Sequence, residues 1–379
     1  MKFIHTADLH IGKKLHEYSL IEDQKHILKQ IYHLAVEHKV DAVVLAGDIY
    51  DRSVPGTEAV ELLDDFLTDF ADTGIPVIMV SGNHDSAVRV GFADRILEKQ
   101  GIYIGAEYDG ELKSVTLEDE FGPVTFVCMP FVKPAVLGCN TLAEAVERML
   151  SVHPMVMSLN RRYVLVTHYF VTGEQGEMPQ LSDSEVDVNV GGLDNVPADM
   201  FAMFQYVALG HIHRPQHIGS RQVYYSGSPL KYSFSEAKGD KSVNLVEFSD
   251  REVKVELLPL KPLHEMRCIK GKLSELISSE VQLLNEKDRE DYLQVTLTDE
   301  EELIDPMGTL RSVYPNVLQL LFEKNQKTAE EGFESKLYTA KKSTVELFSE
   351  FYEMLKGEAL DEKRKAAVED AAREAEDTL

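Results

Sequence analysis

Aspartates, an asparagine and histidines recur in this chain at the points where apolar runs end. In order they are Asp8-Leu9-His10, Gly47-Asp48, Gly82-Asn83-His84-Asp85, His168 and Gly210-His211-Ile212-His213. Carboxylate oxygen, amide oxygen and imidazole nitrogen, with no thiolate among them, form the donor mixture that a pair of catalytic divalent metals takes. An Asp-x-His triplet by itself arises by chance in about every chain or two of this length. The case therefore rests on the ordered series. It points to a metal-dependent phosphoester hydrolase.

The elements that must position these residues follow from the apolar pattern. Short, continuous runs rich in valine and isoleucine at Phe3–Ala7, Val40–Ala46 and Pro76–Val80 predict buried strands. Between them, Leu20–Lys39 places Ile27, Leu28, Ile31, Leu34 and Ala35 on one helical face, and Thr57–Ala71 does the same with Leu63, Phe66, Leu67 and Phe70. Such a β-α-β-α-β opening belongs to an α/β domain with crossover helices. Further strand-like runs at Val124–Met129, Tyr163–Thr167, Tyr206–Leu209, Val223–Tyr225, Ser242–Phe248 and Glu252–Leu258 are too many for one simple parallel sheet. Two packed β-sheets flanked by helices fit better. Asp8, Asp48, Asn83, His168 and His211 each fall just after such a run, at the strand ends where open α/β sheets gather ligands. Residues two apart in a strand share a face, so Asp8 and His10 are expected to reach one metal together, and His211 and His213 to line one wall.

The chain has 379 residues, which makes two or three folded units the prior. Prolines at 259 and 262 mark a boundary where regular pairing is expected to stop. Beyond it the pattern reads strand (Met266–Lys270), helix (Lys272–Leu283), strand (Tyr292–Thr298), helix (Pro306–Val313), strand (Val317–Phe322). A polar stretch at 324–340 reads as a linker. After it, Val345, Phe348, Phe351, Tyr352 and Leu355 line one helical face, suited either to a partner's groove or to packing on the chain's own small domain.

Three scattered cysteines without metal-ligand spacing, and the lack of any long apolar run or leader-like start, lead to the expectation of a cytoplasmic protein with no membrane segment. The formal net charge of −26 is unusual for a protein that grips nucleic acid unaided. Such a chain can still cut DNA if metal ions supply local positive charge and a partner does the holding.

The ordered motifs, together with Phe3-Ile4-His5-Thr6-Ala7-Asp8-Leu9-His10-Ile11-Gly12, Ala46-Gly47-Asp48-Ile49-Tyr50-Asp51-Arg52 and Tyr225-Ser226-Gly227-Ser228-Pro229, resemble those of calcineurin-like metallophosphoesterases. Within that superfamily the chain is similar to the nuclease subunits of bacterial SbcCD-type complexes, over nearly its whole length. The resemblance implies an αββα phosphoesterase (nuclease) domain at 1–260, a small α/β capping domain at 261–325, and a linker with C-terminal partner-binding helices at 326–379. It implies that Asp8, His10 and His213 hold one metal, that Asn83, His168 and His211 hold the other, and that Asp48 bridges both. The ions it implies are two Mn²⁺. His84 would protonate the leaving oxygen or stabilise the transition state, with Asp85 orienting its ring or else capping the following helix. Arg52 is a candidate phosphate contact, and Asp51 stands where some relatives carry a histidine.

The implied activity is 3′→5′ exonuclease on duplex ends and endonuclease on single strands or hairpins, in DNA repair, recombination and replication. The implied partners are an SbcC-type ATPase bound through the C-terminal helices, DNA, and a second copy of the chain within a heterotetramer. The competing readings are a phosphatase or cyclic-nucleotide phosphodiesterase using the same metals, and a non-catalytic scaffold. Away from the motifs, His5 reads as a core histidine, His26, His33 and His38 as ordinary helix residues, and His16 as a residue near the first loop.

Overall fold

The computed structural model describes residues 1–152, 162–173, 176–183, 185, 195–250, 252–278 and 286–323, with residues 349, 352, 364, 365 and 368 of the tail. Two six-stranded sheets dominate it. The first runs in the order Val253–Leu260, Lys241–Phe248, Lys2–Thr6, Ala42–Ala46, Val77–Val80, Ile102–Gly105. Its last four strands are parallel, and the two at the other edge are antiparallel. The second sheet runs Gln216–His217, Val223–Tyr225, Tyr206–Leu209, Arg162–Thr167, Gly122–Met129, Lys113–Asp119, with a parallel centre and antiparallel edges.

Alternation along each strand explains why the sheets stack. Phe3, Val44, Ile78, Phe126, Val164, Ala208 and Val246 point into the space between the sheets and are fully buried there. Their neighbours Ile4, Val43 and Leu45 point the other way, onto Ile27, Leu28, Ile31, Leu63, Phe66 and Phe70 of helices Ile21–Glu37 and Thr57–Thr73. On the far side, Val127, Met129, Leu165 and Val207 meet Leu142, Val146 and Met149 of helix Leu142–Val152. The layers are therefore helix, sheet, sheet, helix, as the strand count implied. Every strand of the β-α-β-α-β opening is present. The Lys113–Asp119 strand escapes prediction because it is an edge strand on which Val115 alone is buried.

Pairing runs through Pro259 and ends at Leu260, inside the Leu258–Pro262 segment. The Val253–Leu260 strand carries Pro259 opposite Ser242 and ends at Leu260 opposite Lys241. It lies at a sheet edge, where a residue without an N–H is tolerated. Beyond it, Met266–Gly271, Tyr292–Leu297 and Val317–Phe322 form a three-stranded sheet in sequence order, with a helix at Pro306–Arg311. Asp305 caps that helix by accepting from the Gly308 N–H. The helix predicted over Lys272–Leu283 is described for Leu273–Leu276. The predicted linker and the Val345–Leu355 helix lie outside the described residues, apart from single positions. Met1–Thr296 and Leu303–Leu320 form one compact unit, and Leu297–Glu302 with Leu321–Leu379 a second. Among the described residues no helix is long and apolar enough to cross a membrane.

Phe126 is the natural probe of the layer between the sheets: it is fully buried and packs edge-on against Phe3 at 5.4 Å. Phe126→Ala is expected to cost about 3–5 kcal/mol in denaturant unfolding. A loss under about 1 kcal/mol would show that this layer relaxes around the gap.

Candidate metal centre

Strands from both sheets deliver the motif residues to one edge. Asp8 and His10 follow Lys2–Thr6, Asp48 follows Ala42–Ala46, and Asn83 follows Val77–Val80 in the first sheet. His168 follows Arg162–Thr167 and His211 follows Tyr206–Leu209 in the second. The paired residues do not share a strand face, because the strands have already ended. Asp8 (φ 54°), His10 (φ 43°), Asp48 (φ 49°) and His211 (φ 101°) instead adopt the left-handed backbone that side chains rarely take. Neighbouring chain holds them there. Asp8 N–H donates to Gly47 O at 3.1 Å, His10 N–H to Asp48 O at 3.0 Å, and Ile11 N–H to Ile49 O at 2.9 Å. Such over-determined strain concentrates at functional sites.

Two motif glycines are dictated by crowding. A Cβ on Gly82 would lie 2.1 Å from Asp48 Oδ1, and one on Gly210 would lie 2.0 Å from Ala46 O and 2.6 Å from His168 Nδ1. No side chain fits at either position.

The donor atoms fall into two groups joined by Asp48. Asp8, His10 and His213 offer ligand atoms within 4.8 Å of one another, with the His10 and His213 Nε2 atoms 3.2 Å apart. In the other group Asn83 Oδ1 lies 3.1 Å from His168 Nε2 and 3.0 Å from His211 Nδ1. Asp48 Oδ2 stands between them, 3.2 Å from His168 Nε2 and 3.6 Å from His10 Nε2. Asp8, Asp48 and His168 also meet as a possible ligand group. The His168 ring is fixed from behind, since Nδ1 faces Ala46 O at 2.8 Å and turns Nε2 toward the site. Facing imidazole nitrogens, two carboxylates and an amide oxygen, packed together and nearly all buried, suit divalent cations. The buried His10 Nδ1 has no hydrogen-bond partner among the described residues and faces Asp51 Oδ1 at 3.6 Å, while Nε2 points to His213 and Asp48.

Two family models match this chain. The one described as calcineurin-like phosphoesterase covers residues 1–215, and the one described as Type 5 capsule protein repressor C-terminal domain covers residues 262–355. A protein named as the SbcD subunit of nuclease SbcCD, from Staphylococcus saprophyticus subsp. saprophyticus, is 33% identical over 97% of this chain and 97% of its own. Its namesake from Staphylococcus epidermidis is 32% identical over 84% of this chain and 85% of its own. The chain belongs to the SbcD family of calcineurin-like phosphoesterases. Among solved structures, a dimetal phosphatase from Danio rerio aligns with 69% of this chain and 98% of its own at 13% identity and a TM-score of 0.41. Membership in the phosphoesterase family implies divalent metals, and the donor groups just described are where this member of the SbcD family can hold them.

The remaining motif residues are placed as follows. His84 is the exposed one of the set: its Nδ1 faces Asp51 O at 3.1 Å and its Nε2 lies 4.0 Å from Asp48 Oδ2. Asp85 does not orient that ring, nor does it cap a helix. Its carboxylate accepts from the N–H groups of Ile49 (3.0 Å), Tyr50 (2.9 Å) and Gly82 (2.9 Å), bolting the Asp48 loop to the Asn83 loop. Arg52 is largely exposed, with Nε 3.6 Å from Asp51 Oδ2. His5 is a buried core histidine between Tyr206 OH (2.9 Å) and Leu209 O (3.2 Å), away from the donor groups. His16 stacks on Phe234.

Sequence reading missed the residues behind the ligands. His213 Nδ1 lies 3.6 Å from Glu236 Oε1. Lys241 in turn donates to Glu236 Oε2 (2.5 Å), His213 O (2.8 Å) and Ser228 Oγ (2.8 Å). A carboxylate behind a ligating imidazole fixes its ring and raises its basicity. Ser228 sits in the quoted Tyr225–Pro229 motif, which is the one sequence signal for this network.

The charges are strongly coupled. Burial pushes the Asp8 carboxyl up to about 6, against the pull of His168 and His213. Burial would raise Asp48 as well, but His168, His10 and His84 hold it well below the carboxylate range. Burial would lower His168, yet Asp48 carries it up to about 9. His211 is driven down to about 3 by burial and then by the His168 charge. With its pKa raised in this way, the His168 ring holds a proton near neutral pH, and a metal held there would have to displace it. Mn²⁺ affinity should rise about tenfold per pH unit between pH 7 and 8.5, with about one proton released per ion at this position. Calorimetry in buffers of different ionisation enthalpy checks this; pH-independent binding would remove His168 from the ligand set.

Proposed function

We propose that this chain is the DNA-cutting subunit of an SbcCD-type complex, hydrolysing phosphodiesters with two divalent metals, Mn²⁺ in the first place. The observation that carries the reading is Asp48, whose buried carboxylate lies between two donor groups while the ring of His84 stays exposed beside it. Asp8, His10 and His213 would hold one ion, Asn83, His168 and His211 the other, with Asp48 shared between them. When bound, the ions supply Lewis acidity and activation of water. The His84 Nδ1–H donates to Asp51 O, which turns Nε2 toward the site; as the imidazolium the ring would pass its Nε2 proton to the leaving 3′ oxygen and remain as neutral imidazole. The names of the curated relatives support the nuclease reading over a small-substrate phosphatase or phosphodiesterase.

The same reading includes a nuclease domain at 1–260, a capping domain at 261–325 and a partner-binding tail at 326–379, in a cytoplasmic complex. Its partner is an SbcC-type ATPase, as the subunit name of the relatives supports. Its activities are 3′→5′ exonuclease on duplex ends and endonuclease on single strands and hairpins. A homodimer is supported by exposed apolar side chains on the short helices at Ala87–Val90 and Asp94–Leu97 and on the turn between them. Val88, Phe92 and Ile96 there are 71%, 79% and 70% exposed. Phe92→Glu is expected to shift the mass measured by light scattering from dimer to monomer with the fold intact, and an unchanged mass would move the interface elsewhere.

The central test incubates the purified chain with labelled single-stranded and duplex DNA in Mn²⁺, Mg²⁺ or EDTA, with and without the ATPase. Mn²⁺-dependent cleavage, absent in Asp48→Ala, is expected. His84→Ala should keep both metals and lose about 10²-fold or more in turnover. Faster turnover of a small phosphoester than of any DNA would favour the phosphatase or phosphodiesterase. Full metal occupancy in Asp48→Ala would defeat the bridging role.

A further inference from the structure

Two pairs of adjacent residues each reach in opposite directions, one member to the Leu9–His10 backbone and the other to the segment that leads into the small sheet. The first pair lies on helix Ile21–Glu37, where Asp23 and Gln24 are both buried although polar. Gln24 Nε2 donates to His10 O at 2.7 Å and Leu9 O at 3.2 Å, and its Oε1 accepts from Gly12 N–H at 2.9 Å. Asp23 turns away from that loop. It accepts from the His264 N–H at 3.1 Å and from Tyr292 OH at 2.8 Å, and lies 3.1 Å from His264 Nδ1.

The second pair is Lys231-Tyr232. Tyr232 OH donates to Leu9 O at 2.5 Å, and its ring meets the edges of His10 and His213 at 5.4 and 5.6 Å. Lys231 Nζ donates to Glu265 Oε2 at 2.7 Å. Glu265 is tied to the small sheet in turn, since its N–H donates to Asp291 Oδ1 at 2.9 Å and its carbonyl accepts from Tyr292 N–H at 2.7 Å.

We propose that Asp23-Gln24 and Lys231-Tyr232 act as paired clamps that make the position of the Leu9–His10 loop depend on the seating of the His264–Glu265 segment and Tyr292. Asp23, Lys231, His264, Glu265 and Tyr292 are positioning residues: none offers an atom to the donor groups, and they act on His10 through Gln24 and Tyr232. The junction they cross is held by directed polar bonds around a small cavity of about 40 Å³, lined among others by Asp23, Lys231, His264 and Tyr292. Met266, Tyr292 and Leu318 also join the apolar core of Leu20, Leu230 and Leu260 there, and the directed polar bonds add orientation to that packing. His10 sits at φ 43°, so a loop released from Gln24 and Tyr232 has an easier backbone to fall into, and the first donor group would come apart. A ligand or partner that moves the small sheet would thereby change metal retention at a site it does not touch.

The inference rests on the ligand reading above and is tested on the full-length protein by Mn²⁺ binding, followed by electron paramagnetic resonance, with the melting temperature measured alongside. Tyr292→Phe removes one contact, and Glu265→Gln strips the charge from another, on the small-sheet side without touching the loop. Each is expected to weaken the affinity of one Mn²⁺ by about 3- to 10-fold, the scale of one buried hydrogen bond. Tyr232→Phe removes a contact on the loop side. Combined with Glu265→Gln it should weaken binding by less than the product of the single effects, because a clamp already opened at one end has little left to lose. Unchanged affinity in both small-sheet variants, or strictly multiplicative effects in the double variant, would overturn the clamps. Failure of the ligand reading looks different: wild type itself would then bind no Mn²⁺ sensitive to Asp8→Ala.

Discussion

Everything at this site turns on the placement of one buried carboxylate. Asp48 lies 3.2 Å from an imidazole of the second sheet's edge and 3.6 Å from one belonging to the first. A charge so far from water is stable only where donors and opposite charges surround it. The chain meets that demand with the backbone N–H of His84 at 2.9 Å and the ring of His168. Asp85 then locks the two loops that present Asp48 and His84 to each other. The close approach leaves no room for a side chain at Gly82, which explains why the Asn83 motif must begin with glycine.

The two-sheet architecture is the means of reaching that arrangement. Parallel strands end together, so three loops of the first sheet and two of the second open on one edge without any long excursion. The layer of Phe3, Phe126, Val44 and Val164 fixes the spacing of the sheets, and with it the spacing of the donor groups. Close-packed interiors do not stretch, so atoms from opposite sheets can be held to within fractions of an ångström. An acidic chain with a net charge of −26 can accommodate an anionic backbone here because the local balance is set by imidazoles and metals, not by the surface.

Much of this was legible in the sequence, for definable reasons. Strands such as Ala42–Ala46 are buried on both faces and read as unbroken apolar runs, and the residues after them carry recognisable chemistry. What the sequence concealed were interactions between positions far apart in the chain. Glu236 and Lys241 behind His213, Gln24 behind His10, and the three N–H groups gathered by Asp85 leave no periodic or local trace. The same holds for the left-handed turns at Asp8, His10 and Asp48, where strand geometry was the natural assumption. Pro259 itself still lies within the pairing, because an edge strand has no second neighbour to which it must donate.

The left-handed turns have a bearing on how the protein lives with its ions. Zinc fingers draw their fold from the metal, whereas here backbone hydrogen bonds and close-fitting glycines tie the donor loops to the two sheets. A donor set fixed in this way selects by fit, because an ion whose radius or preferred geometry departs from the spacing the loops impose must strain the backbone to bind. Choice among ions would then be written into the turns as much as into the donor atoms.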